Sequence, residues 1–482
     1  MLTSVQLSIM SNRMDAVCRE MTNTIMLSAR SSVIGMARDF SCSIITEDDE
    51  VLAAAEGFPI HVWGSNLQTA SMRRNHPDFK EGDAYLHNDP YDGNSHAADH
   101  TILVPVFFEG EHIFSTAVKA HQADTGNSLP TTYMAQAADV YQEGSLIFPA
   151  VKVQENYQDI DDIVRMCRRR IRVPDQWYGD YLAAIGAARI GERSLKQFVE
   201  KYGKDTVRTF VREWFDYSER RCIDAIKKLP KGQLEANQSH DPVEPWVPEG
   251  IPVNVKIDID PDDALVTVDL RDNIDCIDAG LNLTECTATM AAVHGVLSCL
   301  GHDLPTNSGT LRRISVLLRE NCVVGIPSFP HSCSVATTNL TDIIINVTQS
   351  SFAELGDGQG YAHGNYCNSA AAGVASGKDW RRGGKAYINQ IFLMGGGGPA
   401  SAETDGMHYL FIPVTAGLLY RDSVEIDEQR FPILVKTMHL MTDSMSHGRR
   451  RGGQATEVVL GPRKDPIHIL HVCNGLESAP IG

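Results

Sequence analysis

Hydrophobic and polar positions follow two different rhythms along the chain, and the changes between them outline its elements. Over residues 6–37, apolar side chains recur at Ile9, Met14, Val17, Met21, Ile25 and Met26. That spacing is close to one helical turn and predicts one or two amphipathic helices. "DFSCSIIT" and "VLAAAEG", joined by the acidic turn "EDDE", predict a hairpin. "SNLQTASMRR" predicts a short helix, and "TILVPVFFEGEHIFSTAVKAH" a strand, a Glu-Gly-Glu turn and a second strand. From Asp159 to Lys228 the rhythm is helical again, with Pro174 and Gly203 where helices are expected to start and stop.

The composition then shifts. "PKGQLEANQSHDPVEPWVPEGIP" is rich in proline and polar residues and marks the main boundary, giving a helix-rich domain over 1–230 and a mixed, glycine-rich domain over 231–482. Past it, "VNVKIDIDPDDALVTVDL" alternates almost strictly and predicts a second hairpin, and "NLTECTATMAAVHGVLSCL" predicts a helix with small residues suited to close packing. "RISVLLRENCVV" and "TDIIINVTQSSFAEL" add strand and helix. Glycine-rich stretches follow at "GDGQGYAHGN", "AAAGVASGKDWRRGGKA" and "MGGGGPASAETDG". No period repeats, which excludes a solenoid. The expected class is α+β, with a helix-rich first half carrying a candidate metal-bearing hairpin and a sheet- and glycine-rich second half.

Composition narrows the function classes. A net charge of −18 argues against a nucleic-acid or anionic-membrane surface, because either needs a basic face. The local exception is "RMCRRRIR", with Arg165, Arg168, Arg169, Arg170 and Arg172; a solvated helix face or subunit contact is the simpler reading, an anion patch the other. Eleven cysteines without a CxxC read as reduced thiols and point to the cytoplasm. The first twenty residues lack the basic and apolar regions of a signal peptide, and no apolar run reaches the ~18–20 residues needed to span a bilayer.

The chemistry concentrates in "NDPYDGNSHAADHTILVPVFFEGEHIFSTAVKAHQADTG". His96 and Asp99 stand three apart in a segment that Pro90, Gly93 and Asn94 keep out of regular helix. Asp99 precedes the first strand and His121 ends the second, and an antiparallel hairpin returns the chain to its starting side. The three can therefore converge. Two imidazoles and a carboxylate form a ligand set that leaves positions open on zinc, manganese or iron. On spacing alone, the same residues serve equally as turn caps. Asp39 and Asp124 are spare carboxylates for a fourth ligand, an outer partner or the general base. His100 reads as a packing residue at the strand start, and His87 stays ambiguous.

The glycine runs "GDGQG" and "MGGGGP" match no nucleotide motif, so tight turns and close backbone packing explain them best. "SHGRRRGG" fits a carboxylate or phosphate site or a subunit contact. No GxSxG is present, so nothing supports a serine nucleophile.

Together, "RDFSCSI", "NDPYDGNSHAADHTILVPVF", "KAHQADTG" and "YQEGSLIFP" resemble the hydantoinase B family. Pro305, Asn307 and Gly309 in "LPTNSGTLRRISV", the "GGGGPASAETDG" stretch and "DSMSHGRRRGG" extend the likeness over nearly the whole chain. That family comprises partner subunits of ATP-dependent hydantoinases, the C-terminal half of 5-oxoprolinases, and subunits of acetone and acetophenone carboxylases. The resemblance implies a divalent-metal subunit in a hetero-oligomer with a hydantoinase A-type partner that binds ATP and phosphorylates the oxygen of a small cyclic amide. Water activated at the metal would then attack the ring carbon. In the carboxylase branch, the same site would join an enol phosphate to activated bicarbonate. It places His96, Asp99 and His121 on the family's ligand positions and Asp39 on its acidic position beside the metal.

Three departures stand out. The chain has "DGNSH" where the family often has Gly-Gly before the metal histidine, and "ADTGN" where it often has Asp-Ile-Gly-Gly, differences that point to another substrate. It also stops at "ESAPIG", where relatives commonly run on, which points to a short member or a missing assembly tail.

Overall fold

The structure, a computed structural model, describes residues 1–54, 57–301, 303–366 and 373–481. Ala55 and Glu56 of the first predicted hairpin, residues 370–372 at the start of one glycine-rich stretch, and the final Gly482 lie outside them.

The central sheet has seven strands: β1 (Phe40–Thr46), β2 (Val51–Ala53), β3 (Ala84–His87), β4 (Asp99–Phe108), β5 (Glu111–His121), β6 (Val151–Glu155) and β7 (Gln158–Asp159). Their order is β2-β1-β5-β4-β3-β6-β7, and every neighbouring pair is antiparallel. The predicted hairpin is thus the pair β4–β5 in the middle of the sheet. Its unbroken apolar run follows from burial on both faces, which leaves no solvent side to alternate toward.

The register assigns the faces. Asp99 faces His121, Thr101 faces Lys119, and His100 faces Ala120. Period-two geometry therefore puts Asp99, Thr101, Lys119 and His121 on one face and His100 on the other. The helix Pro174–Tyr202 covers the second face: Trp177 Nε1 donates to His100 Nδ1 at 3.3 Å, and Thr116 Oγ1 donates to the Ala188 carbonyl at 3.1 Å. The helix Ser4–Ser28, which realises the 6–37 pattern, packs against Pro174–Tyr202 and β1. On the first face, Gln68 of the helix Ser65–Asn75 donates to Thr101 Oγ1 at 3.0 Å.

Three further sheets complete the chain. β8 (Gly232–His240), β9 (Ile251–Asp260), β10 (Leu265–Asp269) and β11 (Ile314–Leu317) form a four-stranded sheet in the order β11-β10-β9-β8, with β10–β11 its parallel pair. β12 (Gly373–Asp379), β13 (Lys385–Ile391) and β16 (His468–Leu470) form a third, and β14 (Ile433–Leu440) with β15 (Thr456–Pro462) a two-stranded ribbon. The helices Glu285–Leu300 and Leu340–Ser351 pack on each other, and the second also meets β8 and β9. The glycine motifs of the C-terminal third pack backbone to backbone. A Cβ on Gly397 would fall 1.9 Å from the Gly453 carbonyl oxygen, so only glycine allows that approach.

The fold is α+β, as the patterning predicts. The first half carries more strand than its helical rhythm suggests, because β3, β6 and β7 are too short for a periodic signal. One buried apolar cluster extends from Met10 to Val472, and a smaller one gathers Ala375, Ile391, Leu393, Phe431 and Ile433. No helix among the described residues is long and apolar enough to cross a membrane.

Candidate metal centre

The site lies where three strand ends meet. β4 begins at Asp99 and β5 ends at His121, directly opposite in register. Phe40 of β1 pairs with Ala120, and the His121 backbone N–H donates to the Asp39 carbonyl at 3.0 Å, which places Asp39 next to that end. His96 is folded back onto Asp99 by the loop between β3 and β4. Asn94 holds this loop, its side-chain amide donating to the carbonyls of His96 at 2.5 Å and Asp99 at 3.0 Å.

The ligand-type atoms of His96, Asp99 and His121 all lie within 4.8 Å of one another. His96 Nε2 and His121 Nδ1 each sit 3.0 Å from the same Asp99 oxygen, Oδ1, and 3.2 Å apart. All three side chains are buried. Their outer atoms are tied: His96 Nδ1 donates to the Ser334 carbonyl at 2.9 Å, and His121 Nε2 meets Thr132 Oγ1 at 3.0 Å. A carbonyl can only accept, so the proton of a neutral His96 rides on Nδ1 and the Nε2 lone pair faces inward. This outer hydrogen bonding is what a ligating imidazole needs. Two inward ring nitrogens and one carboxylate oxygen, out of water and with fixed orientation, fit a divalent cation of the zinc, manganese or iron type.

The cluster contains a residue that sequence reasoning missed. His61, on the short helix Pro59–Val62, places Nε2 3.3 Å from Asp99 Oδ2 and 3.5 Å from Asp39 Oδ1, and so bridges the two carboxylates. Gly64 turns the chain just after it at φ 111°, and a Cβ there would meet Cys286 Sγ at 2.3 Å. Ser95 Oγ also donates to Asp99 Oδ2. Tyr133 stacks on His121 with ring centroids 5.5 Å apart.

The electrostatics follow from burial and crowding. Burial pushes the Asp39 carboxyl above its ordinary value, against the opposing pull of His121 and His61. Burial acts the same way on Asp99, but the charges of His96 and His61 with the hydrogen bonds of His121 and His61 outweigh it, and Asp99 is held well below the usual range. For His96, burial lowers the pKa, yet Asp99 and the Ser334 carbonyl more than compensate and leave it raised.

A cavity of about 30 Å³ opens onto Asp39, His61, Asp99 and His121. Its remaining wall is mostly apolar, with Phe58, Phe392, Phe411 and Leu419, plus the hydroxyls of Thr337, Thr338 and Thr415.

The other candidates lie apart from this group. Asp124 turns toward Arg172: its Oδ1 accepts from Arg172 Nη1 at 2.9 Å and from the Gly126 N–H at 3.1 Å, and its Oδ2 from the Arg172 N–H. His87, lowered to about 3 by burial, lies 3.3 Å from Gln68 Nε2. Arg165 and Arg168 pair with Asp162 and Asp175 on an exposed helix face. The glycine loop with Gly356, Gly358 and Gly360 and the basic residues Arg449 and Arg450 border one open cleft.

With this geometry in view, comparison with known proteins is informative. The family profile described as Hydantoinase B/oxoprolinase matches residues 3–482. The beta subunit of the caprolactamase of Pseudomonas jessenii is 26% identical over 99% of this chain and 81% of its own. The corresponding subunit of a putative D-/L-hydantoinase from Pseudomonas sp. strain NS671 is 27% identical over 93% and 76%. The acetophenone carboxylase delta subunit of Aromatoleum aromaticum is 24% identical over 88% and 62%. The crystal structure of the ATP-dependent caprolactamase from P. jessenii shares the fold with a TM-score of 0.87, at 24% identity, over 96% of this chain and 79% of that one.

Proposed function

The chain belongs to the hydantoinase B/oxoprolinase family, and from that premise we propose that it is the ring-opening subunit of an ATP-dependent cyclic amide hydrolase, acting in the cytoplasm in a hetero-oligomer with an ATP-using, hydantoinase A-type partner. The observation that carries the reading is the convergence of His96 Nε2, His121 Nδ1 and Asp99 Oδ1 in a buried pocket with both outer ring nitrogens engaged.

An amide carbonyl resists attack because nitrogen donation stabilises it. Phosphorylation of its oxygen by the partner removes that resistance and installs a leaving group. His96, Asp99 and His121 would hold a divalent cation, with Asp39 beside it as a further ligand; such a cation supplies Lewis acidity and lowers the pKa of water at its open positions. The protein's own groups do the rest. Ser334 and Thr132 fix the imidazoles, and His61 and Ser95 fix the Asp99 carboxylate. Asp39 takes the proton as the ring carbon is attacked. The apolar wall of Phe58, Phe392 and Phe411 keeps bulk water from the activated ring. Asp124 acts at one remove, through the loop it ties to Arg172.

His96→Ala or Asp99→Ala should lower ring opening of a lactam by ~10³-fold or more while phosphorylation by the co-purified partner continues, and bound metal should fall with it. Retained turnover in both variants with metal content unchanged excludes the assignment. A second reading rests on the carboxylase subunit among the relatives: the same centre would join an activated ketone to bicarbonate. Ring opening without bicarbonate separates the first reading from the second.

A further inference from the structure

A second cavity, of about 410 Å³, lies apart from the metal centre where four parts of the chain meet: the end of the helix Ser4–Ser28, the start of the helix Pro174–Tyr202, the β12–β13 hairpin and the end of the helix Val424–Arg430. Its volume is in the range of small-ligand pockets. Five cationic side chains line it, Arg30, Arg172, Arg382, Lys385 and Arg430, against two carboxylates, Asp175 and Asp379. In a chain of net charge −18 this is a local reversal of sign.

Both carboxylates are occupied from outside the cavity wall. Asp379 is gripped by Arg381, whose Nε and Nη2 reach its two oxygens at 2.9 Å, and Asp175 by Arg168 at 2.7 Å. Lys385 comes no nearer to Asp175 than 3.9 Å, and Arg30 forms no ion pair among the described residues. Arg430 donates to Ser32 Oγ at 3.0 Å. Asp175 and Gln176 stand in the first turn of a 29-residue helix, where backbone N–H groups lack helical acceptors and the dipole favours an anion. Arg172 is held rigid by Asp124 Oδ1 at 2.9 Å and the Asn127 carbonyl at 2.5 Å. A monocarboxylate would use one such fork. Several cations beside a helix N-terminus fit a multiply charged tetrahedral anion.

We propose that this cavity binds a phosphate-bearing anion, held by Arg30, Arg382, Lys385 and Arg430 at the helix start, with Arg172 linking it through Asp124 to the loop that follows His121. The inference stands on the cavity alone and does not depend on the ring-opening reaction. The phosphate could arrive free or as part of an organic ester, and the two are separable by titration.

Calorimetric titration of the intact chain at fixed ionic strength tests it, with inorganic phosphate, pyrophosphate and ADP as probes and adenosine and acetate as controls. Saturable binding of the phosphate probes is expected, with no heat from adenosine or acetate. ADP binding tighter than phosphate identifies an ester site; equal or weaker binding identifies a free-phosphate site. Arg382→Gln with Lys385→Gln should weaken binding at least tenfold, and Lys385→Gln alone about threefold. These side chains are 59% and 69% exposed, so an unchanged melting temperature is expected. Arg449→Gln with Arg450→Gln, in the other cleft, should bind as the parent does. The proposal fails if no phosphate probe binds, if acetate or adenosine binds equally, if the Arg382/Lys385 variants bind unchanged, or if only the Arg449/Arg450 variant loses binding.

Discussion

At the scale of single residues, the centre depends on how its carboxylates are held as much as on the ligands themselves. His61 spans Asp39 and Asp99 and fixes the Asp99 oxygen that does not face the imidazoles. Loss of an outer partner typically costs ~10–100-fold in metal affinity or activity. His61→Ala should therefore slow ring opening by about that factor, less than His96→Ala does. Elemental analysis beside steady-state kinetics separates loss of metal from loss of rate. The contrast in legibility is physical. His96, Asp99 and His121 were readable because one hairpin returns its ends to a common point, a relation encoded in local alternation. His61 is 35 positions upstream of His96 and reaches Asp99 only because Gly64 and the short helix Pro59–Val62 bring it there. No local spacing carries that. Asp124 shows the converse: its proximity to His121 in sequence made it a candidate, while its carboxylate is turned toward an arginine 48 positions on.

At the scale of elements, the two halves of the chain meet at the centre through a helix cap. Thr284 caps the helix Glu285–Leu300: its Oγ1 accepts from the Thr287 N–H at 3.2 Å, and Thr287 Oγ1 accepts from the Thr284 N–H at 3.0 Å. The same Oγ1 lies 3.3 Å from the Ser95 carbonyl, next to His96. Thr284→Ala should cost about 1 kcal/mol of stability, the usual effect of losing an N-cap, read as a shift of the urea midpoint at unchanged slope. Long helices and the β4–β5 and β9–β10 hairpins were legible because each repeats its period several times. β3, β6 and β7 span four, five and two residues, too few for any rhythm, and they are specified by the neighbours they pair with. The Arg172 guanidinium, read from sequence as part of an exposed basic face, is instead fixed against Asp124 by folding.

At the scale of the whole molecule, burial leaves a titration signature away from the metal centre. Asp342, on the helix Leu340–Ser351, accepts from the Val414 N–H at 3.1 Å, and burial raises its carboxyl to about 8. Asp422 is likewise raised to about 8 by burial, next to the Asp427 carboxyl. In the unfolded chain such groups titrate near ~3.9. Between these values the folded state holds protons that the unfolded state has released. Their stabilising contribution is complete below about pH 4, declines as the unfolded chain ionises, and is gone once pH passes 8. Unfolding midpoints should therefore fall across that window. Asp342→Asn should flatten the decline and raise the midpoint at pH 9, and an unchanged slope in that variant would contradict the assignment.

The chamber beside Asp39 and His61 holds about 30 Å³, room for a water molecule or two. No lactam ring enters a space of that size. The segment bearing Phe411, Ile412, Val414, Thr415 and Leu419 therefore acts as a shutter, and Asp342 and Asp422 are its latches at either end. Turnover must include its swing outward, and solvent viscosity should slow the enzyme wherever that swing sets the pace.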